Sequence, residues 1–386
     1  MRRAWMLGLV LTLGSCADGR KLGSSADPSG ATAKRASADS AFSRLVEDLS
    51  EPGGYFDTDN LISNETSYLH VVGALQDLGV SGGAYIGVGP DQNFSYIAAI
   101  RPRIAFIIDI RRDNLLQHLM FKALFSLARN RIEYLCLLFA RPIPRDADRW
   151  GGRSIEGLLK YLEGQGVPAD DAELMMAAVV DRAGSFGVRL SDADRETIRR
   201  FHGTFIREGP ALRFRSYGRT PRPYYPTYRQ LVLETDLTGQ QASYLAREED
   251  FQFLKSLQDR DLVIPVVGDL AGEHALAAIG RYVAERGERV SALYTSNVEF
   301  YLWRGRSFDR FATTVAQLPH DERSMIIRSY FGRNFGYIHP QSVPGFYSVQ
   351  LLQSIESFAA DHAAGGYRSY LDLVTSGVID LRAPAR

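Results

Sequence analysis

The sequence predicts an α/β protein built on a doubly wound, mostly parallel sheet that a mostly helical insertion interrupts. Three observations carry this expectation. Short apolar runs at Ala84, Ile104, Leu262, Val290 and Met325 alternate with helical patterns. The first run breaks into a glycine-rich turn, Gly87-Val88-Gly89-Pro90-Asp91. From Pro142 to Gln252 the alternation stops, and helical pieces continue near Ile155–Glu163, Ala172–Ala183 and Asp192–Arg207.

Taken in order, the chain divides into a signal segment (1–16), a disordered tether (17–50) and a first α/β half (51–140). The insertion (141–255), a second α/β half (256–346) and C-terminal helices (347–386) follow. Arg2 and Arg3 precede an apolar run, Trp5 to Gly14. That run is shorter than the roughly 20 residues a membrane-spanning helix needs, and it fits a secretory signal. It ends in Leu13-Gly14-Ser15-Cys16, which resembles the bacterial lipobox, whose cysteine is lipidated. The expectation is an envelope lipoprotein that meets a membrane only through Cys16. The alternative is a spurious signal on a cytoplasmic protein. Ala17 to Ala41 is rich in Ser, Ala, Gly and Asp and lacks aromatics, as a tether does. The other cysteine, Cys136, lies in an apolar helical stretch and reads as core; with Cys16 lipidated, no internal disulfide can form.

Ser63-Asn64-Glu65-Thr66 reads as a helix start before the apolar positions Leu69, Val72, Leu75 and Leu78, and Gly79 ends that helix. Phe94 to Ile100 is a helix closed by Arg101-Pro102. IAFIIDI, from Ile104 to Ile110, has the continuous apolar pattern of a buried parallel strand. Asn114 to about Ala140 is helical, and its charges favour a core helix over a membrane span. The second half predicts a strand at Leu262–Val267, a helix at Glu273–Arg286, a strand at Val290–Tyr294, a helix near Phe308–Gln317 and a strand at Met325–Tyr330. Tyr347–Ala360 and Tyr367–Leu373 read as closing helices.

The chain has 386 residues, and its 45 basic residues balance 45 acidic ones. No whole-molecule field exists to gather DNA or RNA, so a nucleic-acid partner is not expected. His spacing and the absence of a CxxC motif give no indication of a metal site.

The glycine turn carries the sharpest chemical signal. Gly87 and Gly89 let a ligand approach the backbone, and Asp109, 20 residues beyond Gly89, ends the next strand, where a carboxylate can accept from both ribose hydroxyls. Gln92 stands where a dinucleotide fingerprint has its third glycine, and Asp91 repels phosphate while suiting a cationic group. A competing reading makes Asp109 a helix cap. Two polar residues, Asn297 and Glu299, end a later strand, where open α/β sheets place ligands. Glu299 reads as a general base and Asn297 as either a substrate contact or a helix cap.

Gly87-Val88-Gly89 with Asp109, Gly268-Asp269-Leu270 and Ser296-Asn297-Val298-Glu299 together resemble the strand-end motifs of Rossmann-fold, S-adenosylmethionine-dependent methyltransferases. The resemblance covers Gly82–Arg131 and Leu262–Tyr330, and the segments SNETSYLHV, GGAYIGVGPDQNFSYIAAIRPRIAFIIDIRRDNL and SNVEFYL also resemble an uncharacterised bacterial family of the superfamily. It implies that Gly87, Gly89 and Asp91 meet the methionine end of S-adenosylmethionine, Asp109 the ribose and Asp269 the adenine. Asn297 and Glu299 would face a small-molecule acceptor of unknown identity. Glu65 and Tyr68, three apart on one helical face, would line the same pocket, or else serve as a helix-starting acid and a half-buried tyrosine. The rival reading of the whole chain is a non-catalytic envelope scaffold that keeps the fold for binding.

Arg213 to Arg229 holds five Arg and four Tyr without an acid. It reads as a loop of the insertion folded across the sheet with its aromatics buried, or as a substrate lid.

Overall fold

The computed structural model describes residues 41–382, except 218, 219, 221 and 333–335. The lipobox with Cys16 and most of the expected tether lie outside the described residues.

Six strands form one sheet: β1 (Ala84–Gly87), β2 (Ile104–Asp109), β3 (Val263–Val267), β4 (Val290–Ser296), β5 (Met325–Tyr330) and β6 (Val349–Ser354). Their order is β3-β2-β1-β4-β5-β6. The first five are mutually parallel and β6 runs antiparallel to β5. Helices cover both faces of a parallel sheet, so the strands read as unbroken apolar runs such as IAFII and VIPVV. The chain winds outward from β1 through β2 to β3, then returns to β1's other side for β4. The order therefore reverses between β1 and β4, where open α/β sheets leave a crevice at the strands' carboxyl ends. Asp109 pairs with Val267 in register, which levels the ends of β2 and β3 at that edge.

Residues 41–49 form a helix, α1, and α2 (Val72–Asp77) precedes β1. The short α3 (Gln92–Ile100) links β1 to β2 and ends at Arg101 in a left-handed conformation, φ 54°. After β2 the chain runs through α4 (Arg112–Leu127) and α5 (Arg131–Phe139), the latter capped by Asn130. The insertion follows as α6 (Ile155–Glu163), α7 (Ala169–Gly184), α8 (Asp192–Glu208), α9 (Tyr228–Leu233) and α10 (Glu248–Asp259). Capping boxes open two of these, Ser191 with Asp194 on α8 and Thr227 with Gln230 on α9. Helix α10 returns against α3 and α4 before β3 begins, so the insertion joins the main core. Helix α11 (Ala275–Ala284) connects β3 to β4, while α12 (Val298–Arg304) and α13 (Phe308–Ala316) lie between β4 and β5. The chain closes with α14 (Ile355–Ala363) and α15 (Tyr370–Thr375). Among the described residues no helix is long and apolar enough to cross a membrane.

Three expectations need correction. The tether ends earlier than residue 50, because Phe42, Val46 and Leu49 form an apolar stripe that buries α1 on the core. Tyr347–Ala360 is not one helix: Val349–Ser354 is the antiparallel edge strand β6, and helix begins only at Ile355, capped by Ser354. Five of the six β6 residues are buried, which hides the alternation that marks a strand. Residues 63–67 do not start a helix either. Ser63 accepts from the Glu65 amide (3.1 Å), and a 3-10 turn begins only at Tyr68.

Candidate functional site

The loops at the carboxyl ends of the parallel strands enclose a cavity of about 590 Å³. Val88, Gly89 and Pro90 come from the end of β1, Asp109 and Arg111 from β2, Gly268 and Asp269 from β3, and Ser296 and Asn297 from β4. The roof comes from residues 55–60 and from the Arg/Tyr-rich part of the insertion. These two segments meet at a Thr58–Ser216 bridge and a bond from the Tyr217 amide to the Asp57 carbonyl (2.8 Å). Phe214, Arg222 and Tyr225 line the cavity, Phe214 and Tyr225 are buried, and Tyr224 packs on Tyr347 at 4.3 Å. The segment is thus a loop folded across the sheet, and it also supplies cavity wall.

The glycine turn is held from behind. Asn93 Nδ2 donates to the Val88 and Pro90 carbonyls, each at 2.8 Å, and Tyr85 Oη donates to Asn93 Oδ1 at 2.8 Å. Asn114 Nδ2 and His118 Nε2 both donate to the Gly89 carbonyl at 2.9 Å. His118 is the donor because a carbonyl only accepts; its burial lowers its pKa to about 4, so the ring is neutral. Gly89 has φ +88°, a conformation that favours glycine, and it lines the cavity. Gly87 serves a different end. A Cβ there would sit 2.0 Å from Asn93 Oδ1, so its bareness admits the asparagine that braces the turn and not a ligand.

Asp91 also departs from expectation. It is buried, lies outside the cavity lining, and accepts from Tyr244 Oη at 3.1 Å inside a cluster with Tyr228 and Tyr134. With no cation beside it among the described residues, burial raises its pKa to about 6. Facing the insertion, it does not meet a ligand's cationic end.

Asp109 lines the cavity but is already engaged. Arg111 Nε and Nη2 donate to its two oxygens at 3.0 and 2.8 Å, and the Arg111 amide adds a third bond at 2.9 Å. Arg111 Nη1 also reaches the Thr58 and Asp59 carbonyls at 2.9 and 3.0 Å, tying the roof to β2. Asp269 lines the cavity; its amide donates to Glu51 Oε1 (2.8 Å), while its Oδ1 accepts from the Ala271 amide (2.9 Å).

At the end of β4, Ser296 adopts φ +53° and Asn297 begins α12 without a side-chain cap bond. Both line the cavity. Glu299 does not. As the second residue of α12, it meets Arg328 on β5, whose Nε donates to its Oε2 at 2.8 Å. Both side chains are 1% exposed, and Gln353 on β6 accepts from Arg328 Nη1 at 2.7 Å. Glu299 is therefore half of a buried ion pair and is not placed to act as a base on a ligand.

Glu65 and Tyr68 part company because residues 65–67 are not helical. Tyr68 is buried away from the cavity and donates to the Leu231 carbonyl at 2.9 Å. Glu65 lies on the cavity floor and accepts from Tyr294 Oη (2.6 Å), Gln350 Nε2 (2.9 Å) and Ser296 Oγ. Gln92 Nε2 donates to the same Tyr294 Oη at 3.2 Å. Gln92, Tyr294, Ser296 and Gln350 had no mark in the sequence as a group. Gln92 stands out in the sequence only as an absent glycine, and Gln350 falls in a segment whose pattern reads as helical.

Cys136 is buried, and burial pushes its thiol up to about 12. Among the described residues no three His, Cys, Asp or Glu side chains gather as a metal site.

A six-stranded, mostly parallel mixed sheet with a ligand-sized cavity at its switch point defines an α/β protein compatible with a Rossmann-like fold. The chain matches the family described as a domain of unknown function (DUF7790) over residues 60–141 and 186–376, and it belongs to that family. The match spans the strands, most of the insertion and the cavity floor. No curated protein sequence matches the chain.

Proposed function

We propose that the protein binds an adenosine-containing small molecule in this cavity, S-adenosylmethionine being the best fit, and that its activity is methyl transfer to a small acceptor. The observation carrying this reading is convergence. Gly89, Asp109, Asp269 and Asn297, on four successive strand ends, line one cavity at the switch point. Its volume lies within the roughly 300–1,000 Å³ usual for small-molecule sites.

The fit to S-adenosylmethionine is uneven. The bare backbone at Gly89 permits close approach, Asp269 lies where an adenine edge would be met, and Asn297 faces the acceptor side. Asp109, with three donors on its oxygens, has room for one ribose hydroxyl and accepts both only if Arg111 withdraws. Asp91 and Glu299 take no part. The bound ligand would supply an activated methyl group. The chain's own residues would hold and align the two reactants, since positioning provides most of the rate in such a transfer.

The Arg111–Asp109 pair favours a second reading, in which an exported lipoprotein anchored at Cys16 uses the fold as a binding scaffold. Export would remove the chain from the cytoplasmic supply of S-adenosylmethionine. Calorimetry on the full chain separates the two readings. Micromolar binding that weakens in Asp109→Ala and Asp269→Ala supports the first; no heat at millimolar ligand rejects it. Incorporation of a palmitate analogue that is lost in Cys16→Ser supports the second.

A further inference from the structure

We propose that the cavity floor is a seat for a protonated primary amine, with the Glu65 carboxylate as its counter-charge and Gln92 Oε1 as a second acceptor. Where the amine is the amino end of S-adenosylmethionine, the inference rests on the adenosine reading. Where it belongs to an acceptor substrate, it stands without that reading.

Glu65 is 0% exposed, and among the described residues no Lys, Arg or His pairs with it. Its three partners, Tyr294, Ser296 and Gln350, are neutral dipoles. A buried carboxylate is costly unless charge and hydrogen bonds compensate it, and three neutral donors leave the charge unbalanced. Of roughly four acceptor positions on a carboxylate, one stays open. Buried Glu299, Glu133 and Asp250 have arginine partners, whereas Asp91, the other buried carboxylate held by neutral hydroxyls, lies outside the cavity.

The second observation is Gln92. It is 6% exposed, lines the cavity, and its Oε1 has no hydrogen-bond partner among the described residues. Its amide orientation follows from the chain of donors: Tyr294 Oη gives its proton to Glu65 and therefore accepts from Gln92 Nε2. Burial and the neighbouring Glu65 charge keep the Tyr294 phenol protonated. That fixes Oε1 as an acceptor without a donor, linked to Glu65 through a single hydroxyl. Ser296 holds a left-handed conformation while its hydroxyl meets Glu65, the kind of strain found at ligand sites.

These groups select among cations. A primary ammonium brings three N–H donors, enough for the open position on Glu65 and for Gln92 Oε1. A sulfonium has no donor to offer Gln92. A calcium or magnesium ion needs more oxygen ligands than one carboxylate and one amide provide.

The test is calorimetry on the full chain with three probes: S-adenosylhomocysteine, 5′-methylthioadenosine, which lacks the amino-acid end, and putrescine. If the seat takes the cofactor's amine, Glu65→Gln weakens S-adenosylhomocysteine at least tenfold and leaves 5′-methylthioadenosine unchanged. If it takes a substrate amine, both nucleosides are unaffected and putrescine loses at least tenfold. Putrescine binding that depends on Glu65, with no nucleoside bound at all, upholds the seat and rejects the adenosine reading. Gln92→Met, which leaves Glu65 in place, should weaken the same amine several-fold and serves if Glu65→Gln fails to fold. Amine-bearing probes that bind both variants as they bind the parent chain, or that do not bind the parent at millimolar concentration, overturn the proposal.

Discussion

Tyr294 Oη on β4 donates to Glu65 Oε2 across 2.6 Å, joining the segment before β1 to the centre of the sheet. Removing that hydroxyl orphans Gln92 Nε2 and takes one donor from a buried carboxylate. Tyr294→Phe should therefore lower stability by about 1–3 kcal/mol, the cost of leaving buried polar groups unmet. A urea unfolding curve measures it; an unchanged midpoint means the bond contributes nothing in solution.

Glu299 and Arg328 test the reassignment of a presumed base. Breaking a buried ion pair by removing one partner typically costs about 3–5 kcal/mol, whereas replacing both by apolar groups costs far less. Glu299→Gln should destabilise the chain strongly, and the Glu299→Leu, Arg328→Met double variant should recover much of the loss. Equal losses in single and double variants would contradict the pair as drawn.

The two glycines of the turn should fail differently. Gly87→Ala forces a methyl group against Asn93, an overpacking that costs about 1–3 kcal/mol, and it acts on folding. Gly89→Ala strains a left-handed residue by about 1–2 kcal/mol and also adds a methyl group to the cavity lining. Thermal melts with and without ligand separate the two: only Gly89→Ala should change the ligand-induced shift.

Arg111 decides whether Asp109 is a ribose seat. Arg111→Ala frees both carboxylate oxygens while releasing residues 58 and 59. On the adenosine reading S-adenosylmethionine affinity rises several-fold even as stability falls. A drop in affinity would instead make Arg111 a ligand contact.

The buried titratable groups pull in opposite directions with pH. Asp91 has its folded pKa raised to about 6, so the neutral form is the one folding favours. Its contribution is complete below the unfolded value near 4 and is lost as pH rises through 6. Asp91→Asn should therefore stabilise the chain above pH 6, by about 2–3 kcal/mol at pH 8, and do nothing at pH 4. His118 and His202 have folded values lowered to about 4 by burial, against about 6.5 unfolded. Their contribution is present above pH 6.5 and lost as pH falls toward 4. His202→Gln, which keeps a donor for the Leu137 carbonyl, should make stability between pH 7 and 5 less steep by about 2 kcal/mol.

Much of the fold was legible because its signals are local. Apolar strands, helix caps and the glycine turn each depend on residues close in the chain, and β2, β5 and α6 begin and end almost where the periodicity places them. The candidate site was legible in part. Gly89, Asp109, Asp269 and Asn297 do converge on one cavity, since strand ends at a switch point are brought together by topology. Gly87, Asp91 and Glu299 lie two residues from those positions in sequence, and Tyr68 three from Glu65, yet none of the four lines the cavity. One residue along a strand end or one turn of a short helix is enough to change what a side chain faces.

The sequence by itself determined the α/β class, the helical interruption and the place of the glycine turn, because each is written within a few neighbouring residues. Only the tertiary structure decided that Arg111 closes on Asp109, that Arg328 claims Glu299, and that Glu65 is left among neutral donors. Those outcomes join residues from distant parts of the chain, and they turn on which buried charge finds a partner once water is excluded.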